Sequence, residues 1–269
     1  MKLNRVLIIF KSLNDVIKTN PDDADAPSDH EGTLTQIQDD LDELGIPSRV
    51  IGRDNIKRGF KGDLLITLGG DGTFLAASHI AGDIPLLGVN SMPDHSVGFF
   101  CASNASNFKD AILDILKGRL KLRKLPRMEI SIDGKVLPCL ALNDVLFGRS
   151  SPAEMARYEL RIGKRCEHQK SSGVWISTGA GSTGGIHSSG GKPMNIESKY
   201  LQYMVREPYA HQAKVYSILN GLVRGGQKIE IIPERDAVIY VDGPNIVYTV
   251  REGQKLSTRI SGKTLKVFL

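Results

Sequence analysis

Asp71 stands inside the run Gly69-Gly70-Asp71-Gly72-Thr73, and the apolar segment Leu64-Leu65-Ile66-Thr67-Leu68 leads directly into it. Phe74-Leu75-Ala76-Ala77-Ser78 follows with helical character. A strand, a glycine turn and a helix in that order put the turn at a strand's carboxyl end, where open α/β sheets bind ligands. Glycines there take positive φ and let the backbone approach a ligand. The N–H groups of the helix start suit phosphate oxygens. A carboxylate beside phosphate is repelled unless it binds a metal or takes a proton from a nucleophilic hydroxyl. Asp71 is therefore a candidate general base. The competing reading makes it the N-cap of a tight strand-to-helix turn. No Gly-Lys-Ser/Thr follows and the spacing is not GxGxxG, so neither a Walker A loop nor a Rossmann dinucleotide fingerprint is present.

Four further segments carry polar chemistry. Gly88-Val89-Asn90 ends an apolar stretch, and Gly98-Phe99-Phe100 comes shortly after; Asn90 is a ligand candidate or a plain turn residue. Ala141-Leu142-Asn143-Asp144-Val145 sets an amide next to a carboxyl, which suits a base edge and ribose hydroxyls, although Asn-Asp is also a frequent turn dipeptide. Ser172-Gly173-Val174-Trp175-Ile176-Ser177-Thr178-Gly179-Ala180-Gly181-Ser182-Thr183-Gly184-Gly185 is rich in small residues that bring backbone and hydroxyl donors close to a ligand, or it is a flexible surface loop. Trp175 reads as core rather than as a stacking platform. Asp242-Gly243 is a site candidate or a hairpin turn.

In this order the segments resemble the NAD kinase family. Gly69 to Thr73 matches the GGDGT motif shared with diacylglycerol kinases and phosphofructokinases, and Phe74 to Ala77 is similar to NAD kinases, where lipid kinases carry Asn-Glu shortly after the Thr. Asn143-Asp144 resembles the family's Asn-Glu with an acid one methylene shorter. The long block matches the family signature at Ser177, Thr178, Gly181, Ser182 and Thr183. It departs at Ser172 for Asp, Gly179 for Pro, Ala180 for Thr and Gly184-Gly185 for Ala-Tyr. Asp242-Gly243-Pro244 is similar to the family's Asp-Gly-Gln. The insert Ser91 to Ser96 is nearer the mitochondrial-type branch.

The resemblance implies an α/β N-terminal domain with a Rossmann-like parallel sheet, a β-rich C-terminal domain, and the site in the cleft between them. It implies phosphoryl transfer from ATP, with Mg²⁺ or another divalent metal, to the 2′-hydroxyl of the adenosine ribose of NAD, with Asp71 as base. Nucleotide-binding residues carried over are Gly69, Gly70, Gly72, Thr73, Phe74, Asn90, Asn143, Asp144, Ser172, Thr178, Ser182, Thr183, Gly184 and Asp242. The family further implies a homo-oligomer, dimer or tetramer. Two alternatives stay open: a lipid or small-alcohol kinase of the same superfamily, and a non-catalytic relative that binds NAD or NADP.

The elements that must position these residues follow from periodicity. Val6 to Phe10, Ser48 to Ile51, Asp63 to Leu68 and Ile84 to Val89 read as strands of a parallel sheet. Thr33 opens a helix whose Leu34, Ile37, Leu41 and Leu44 share a face, and Asn20 to Gly32 reads as a mobile acidic loop. After Cys101 comes a helix near Phe108 to Lys117 and then short strands, with Asp133-Gly134 as a hairpin turn and no internal repeat. The expected division is 1–101 for the α/β domain, 102–255 for the β-rich domain, and a tail 256–269 packing back on the first.

Bulk composition agrees with a nucleotide-handling protein without choosing one. The 269 residues carry a net charge of +5, which suits polyanionic ligands and equally weak nucleic-acid binding. No nucleic-acid partner is expected: Arg119, Lys121 and Arg123 read as a solvated strand face. Three scattered cysteines make a poor disulfide framework or zinc site, which with a short opening apolar run points to a cytoplasmic protein without a membrane partner. The histidines show no metal-ligand spacing, so no protein metal site is expected, and no serine triad is legible.

Overall fold

The computed structural model describes residues 2–12, 16, 26–56, 59–209 and 215–269. They fall into two compact units: Met1–Lys124 with Leu265–Leu269, and Leu125–Thr264.

The first unit is an α/β layer. Strands β1 (Val6–Phe10), β2 (Ser48–Gly52), β3 (Leu64–Leu68) and β4 (Leu86–Asn90) lie parallel in the order β2-β1-β3-β4. The strand β5 (Cys101–Asn104) and the end of β17 (Leu256–Phe268) also pair with β4. All five residues of β3 and all five of β4 are buried, as a parallel strand covered on both faces must be. Helices α1 (Ala26–Glu43) and α3 (Phe108–Leu116) bury Ile37, Leu41, Phe108 and Ile112 in one cluster with Val6, Ile8, Leu64, Ile66, Leu87 and Val89. Helix α2 (Asp71–Ser78) packs on β3 and β1. Because the strands are parallel, their carboxyl ends share one edge, and Lys11, Gly69 and Asn90 stand there.

Two expectations fail here. The stretch 26–32 is not a loop: α1 begins at Ala26, seven residues before Thr33. It is pinned by His30, whose ring nitrogens meet the Ser91 hydroxyl and the Lys11 carbonyl, and the rest of the expected loop, 20–25, lies outside the described residues. The boundary falls after Lys124 rather than Cys101, because β5 extends the parallel sheet and α3 packs on α1. Only Leu265–Leu269 of the expected tail counts with the first unit.

The second unit is built from two sheets. One holds β10 (Arg165–Ser171), β9 (Ala156–Ile162), β14 (Ile229–Pro233) and the start of β17, with β6 (Leu122–Ile132) on β17 and β7 (Lys135–Ala141) on β6. The other is antiparallel throughout, in the order β13 (Asn220–Arg224), β12 (Tyr200–Arg206), β11 (Gly173–Ser177), β8 (Asp144–Gly148), β15 (Ala237–Val241), β16 (Ile246–Val250). Alternate residues such as Val145, Phe147, Val174, Ile176 and Ile239 enter one core with Met128, Tyr158, Leu160 and Ile229. The Asp133-Gly134 turn forms with φ of 49° and 79°, the left-handed pair a two-residue hairpin needs. A repeat invisible in residue identity exists in burial: β7 and β10 share one inside–outside pattern, and β8 and β11 share another.

Candidate nucleotide site

In the first unit the glycine turn lines a cavity of about 450 Å³ together with Lys11, Arg53, Ser91 and His95. Gly69 has φ of 140°, and a Cβ there would stand 2.8 Å from the Thr73 hydroxyl, so only glycine closes the turn at this point. Gly70 is the N-cap of α2 and carries no side-chain cap, while Asp71 is the first helical residue. The Asp71 carboxylate is thus not an N-cap. It accepts the N–H of Phe99 at 3.1 Å and of Phe100 at 3.0 Å, which fixes its direction and ties the following loop to the turn.

The other expected residues of this unit divide. Thr73 is 1% exposed, and its hydroxyl is buried without a hydrogen-bond partner. Phe74 is fully buried and stacks on Phe100 with centroids 4.8 Å apart, so it is core and not a ligand contact. Asn90 is spent on the loop it starts: its amide donates to the Ser96 carbonyl at 3.0 Å and its oxygen accepts the Met92 N–H at 3.1 Å. Asn90 thus holds the turn with its side chain, and it also lines the cavity beside Asp71.

In the second unit Asn143 and Asp144 lie at the start of β8, opposite Ser177 at the end of β11. Asp242, at φ 51° in the β15–β16 turn, accepts three backbone N–H groups: Leu142 at 2.8 Å, Asn143 at 2.7 Å and Asp144 at 3.1 Å. Its carboxylate shapes the 142–144 segment and does not reach out as a ligand group. Local sequence pattern carries no sign of this pairing, which joins residues about a hundred positions apart.

The turn after β11 is held in the same manner. Thr178 donates to the Leu142 carbonyl and accepts the Ala180 N–H at 3.1 Å, while Ser182 donates to the Gly179 carbonyl at 2.7 Å and accepts the Met194 N–H at 2.8 Å. Both hydroxyls are turned inward and fully buried, so these two candidates build the turn instead of lining a ligand. A Cβ on Gly181 would come within 2.4 Å of the Asn143 carbonyl oxygen, and so the motif's glycine is what lets the turn close on Asn143. Thr183 and Gly184 remain exposed, and a Cβ on Gly184 would lie 3.9 Å from the Asp144 carboxyl. Ser172 precedes β11 at the far end from Ser177 and is not brought to this group. Gly185, standing where the family has Tyr, faces the Trp175 ring, which a Cβ would approach to 2.8 Å. Trp175 is half-buried against this turn, on the opposite side of β11 from the core residues Val174 and Ile176.

Two features of this group point to a ligand. The Asn143 side-chain oxygen is buried with no hydrogen-bond partner, an unfilled acceptor that costs stability until a donor arrives. The Asp144 carboxyl is pushed up from 3.8 to about 7, by burial first and by the Asp242 charge second. Near neutral pH Asp144 therefore carries a proton in a large share of molecules and can both donate and accept.

An α/β unit with a carboxylate on a glycine turn, followed by a β unit with an open amide and carboxyl, defines a nucleotide-handling protein. Residues 31–120 match the model of the ATP-NAD kinase N-terminal domain. A probable NADH kinase of Oryza sativa subsp. japonica is 35% identical over 77% of this chain and 71% of its own length. NADH kinase of Arabidopsis thaliana is 31% identical over 89% of this chain and 83% of its own. The crystal structure of yeast NADH kinase complexed with NADH shares the fold, with TM-score 0.77 at 18% identity over 100% of this chain and 84% of that one. The chain belongs to the NAD kinase family.

Proposed function

We infer that this chain is an NAD kinase, transferring the γ-phosphoryl of ATP to the 2′-hydroxyl of the adenosine ribose of NAD to give NADP and ADP. The observation that carries this reading is Asp71, a carboxylate at the carboxyl edge of a parallel sheet in a cavity that also holds a lysine and an arginine. A triphosphate donor needs cations and an acceptor hydroxyl needs a base, and one cavity holds both. Asp71 takes the 2′-hydroxyl proton as the ribose oxygen bonds to the γ-phosphorus and the bridge to ADP breaks. Gly69, Gly70 and Gly72 give the donor close backbone approach. Asn143 offers its empty acceptor to the adenine amino group, Asp144 meets ribose hydroxyls, and Thr183 and Gly184 line the base and phosphates. Asp242, Thr178 and Ser182 hold these groups in place.

Among the described residues no three His, Cys, Asp or Glu groups gather as a cation cage. Mg²⁺ fits instead as a partner of the triphosphate, which needs few protein ligands, and Asp71 is the carboxylate lining that cavity. When bound it neutralises phosphate charge. The free thiols Cys101, Cys139 and Cys166 support a cytoplasmic setting. No described helix is long and apolar enough to cross a membrane. A homo-oligomer follows the family's habit and is tested by light scattering.

The assay is NADP formation from NAD and from NADH with ATP, with diacylglycerol as the rival acceptor. Plant relatives named NADH kinase make the reduced dinucleotide a necessary arm. NADP or NADPH formation supports the reading. The changed Ser172 and Gly184-Gly185 positions favour the second reading, a non-catalytic binder, and calorimetric binding of NAD without product would select it.

A further inference from the structure

A cavity stands where β12 begins and β13 ends, and it has no part in the candidate nucleotide site. It measures about 630 Å³ and is lined by Lys199, Tyr200, Arg224 and Ser261 among others. Small-molecule sites usually hold about 300–1,000 Å³, so an organic ligand fits the space. All of its lining residues belong to the second unit, and none is Asn143, Asp144, Thr183 or Gly184. We propose that this cavity is a second ligand site, for a phosphate monoester carried on a planar ring. Arg224 and Lys199 take the phosphate, and Tyr200 takes the ring. The proposal does not rest on the kinase reading, because it uses none of that site's residues.

Charge is the first support. Among the described residues the Lys199 and Arg224 side chains form no ion pair or hydrogen bond, and no Asp or Glu lines the cavity. Two cations in one cavity repel each other until an anion answers both. A phosphate dianion does so, and its oxygens match the planar fork of an arginine. Geometry is the second support. Arg224 pairs with Tyr200 across the β12–β13 ladder, so both side chains share one face. Their neighbours Val223 and Leu201 take the opposite face and enter the core. Tyr200 is 41% exposed, a large ring left in water on a cavity wall, which is what a stacking surface requires.

The backbone around the cavity is the third support. The Gly225 N–H donates to the Lys199 carbonyl at 2.8 Å, and a Cβ on Gly225 would come within 2.9 Å of that oxygen. Glycine is therefore what lets the exit of β13 close on Lys199. Gly226 follows at φ 93°, a conformation that favours glycine, and its N–H has no hydrogen-bond partner among the described residues. The Ser261 hydroxyl, in a residue 8% exposed, accepts the Lys263 N–H at 3.1 Å and keeps its own proton to donate. A bare anion would need only the cations. The Tyr200 ring and the half-buried Ile260 on the cavity wall call for an organic part as well. A nucleoside phosphate and a simple aryl phosphate share this chemistry.

The test is calorimetry of phenyl phosphate on the full chain, with inorganic phosphate measured beside it. Lys199→Met and Arg224→Met keep an alkyl stem and remove the charge. Each is expected to raise the Kd for phenyl phosphate by about tenfold or more, the scale of a lost charge-assisted hydrogen bond. Tyr200→Leu is expected to raise it by about fivefold or more and to leave the weaker binding of inorganic phosphate unchanged. Arg224→Lys is expected to recover part of the affinity, which separates charge from folding. Lys164→Met, on the exposed β9–β10 turn, is the control expected to match wild type. AMP that displaces phenyl phosphate identifies a nucleoside phosphate, and failure to displace it identifies a smaller ring phosphate; both support the site. Phenyl phosphate that does not bind wild type overturns the proposal, as does affinity unchanged in Lys199→Met and Arg224→Met. Inorganic phosphate binding as tightly as phenyl phosphate overturns it too, because the ring would then contribute nothing. A wild-type chain that forms no NADP defeats the kinase reading alone and leaves this result standing.

Discussion

Replacing Asp144 by Asn should stabilise the nucleotide-free protein, increasingly so as pH rises. The folded environment lifts this carboxyl from 3.8 to about 7, with burial the larger cause and the Asp242 charge the smaller. The sign follows from proton counting. Below about pH 4 the group is neutral in both states and costs nothing. Between about 4 and 7 the folded state holds the proton that the unfolded chain releases, so stability falls with rising pH. Above 7 both forms are ionised and the full cost is present. At about 1.4 kcal/mol per pH unit, a rise from 3.8 to about 7 amounts to about 4 kcal/mol. Asn keeps the size and cannot ionise. Urea unfolding of wild type and Asp144→Asn, from pH 5 to 8.5 without nucleotide, reads the difference. Trp175, the single tryptophan, sits in the second unit with Asp144 and reports on that unit by fluorescence. The variant is expected within about 1.5 kcal/mol of wild type at pH 5 and about 2–4 kcal/mol more stable above pH 7.5. A stability difference that does not change with pH would refute the claim that Asp144 is held protonated by its surroundings.

Other perturbations probe the remaining groups. Asp71→Asn is expected to lower turnover by about 10² or more while NAD affinity stays near wild type, the usual scale for a general base; stopped-time NADP assays beside NAD calorimetry check it. Asn143→Ala should weaken NAD binding by about 1–3 kcal/mol, because the ligand donor loses its acceptor, and unchanged affinity in a titration contradicts it. Asp242→Ala strands three backbone N–H groups and is expected to destabilise the second unit by about 2–4 kcal/mol, read by Trp175 fluorescence in urea. Gly181→Ala forces a Cβ against the Asn143 carbonyl and should cost about 1–3 kcal/mol together with a loss of NAD affinity.

Much of the first unit was legible because a fully buried parallel strand is a continuous apolar run, and Leu64 to Leu68 is one. The glycine turn was legible because glycine, carboxylate and helix start sit within five residues. What local pattern could not show is how side chains are spent. Asn90, Thr178, Ser182 and Asp242 belong to the motif segments, yet each directs its polar atoms at backbone groups, some of them a hundred residues away. For Asn90 and Asp242 the residues alone leave a turn role and a ligand role open, and it is the family resemblance that implies ligand contacts for all four, because a residue type that holds a loop and one that holds a nucleotide are the same type. Phe74 was misread in the same way, its neighbours in the motif hiding that its ring stacks on Phe100. The early start of α1 was hidden because its first turns are polar and are held by His30, a tertiary contact that propensity does not carry. Lys11 and Arg53 lie outside every motif, and only the shared carboxyl edge of the parallel strands gathers them.

The account depends most on Asp71 reaching the acceptor hydroxyl. A crystal structure of the chain with NAD bound measures this directly. The ribose 2′-oxygen of the adenosine is expected within about 2.6–3.2 Å of an Asp71 carboxylate oxygen, or one water away. A bound dinucleotide whose 2′-oxygen points elsewhere, with Asp71 still engaged only by Phe99 and Phe100, would contradict it.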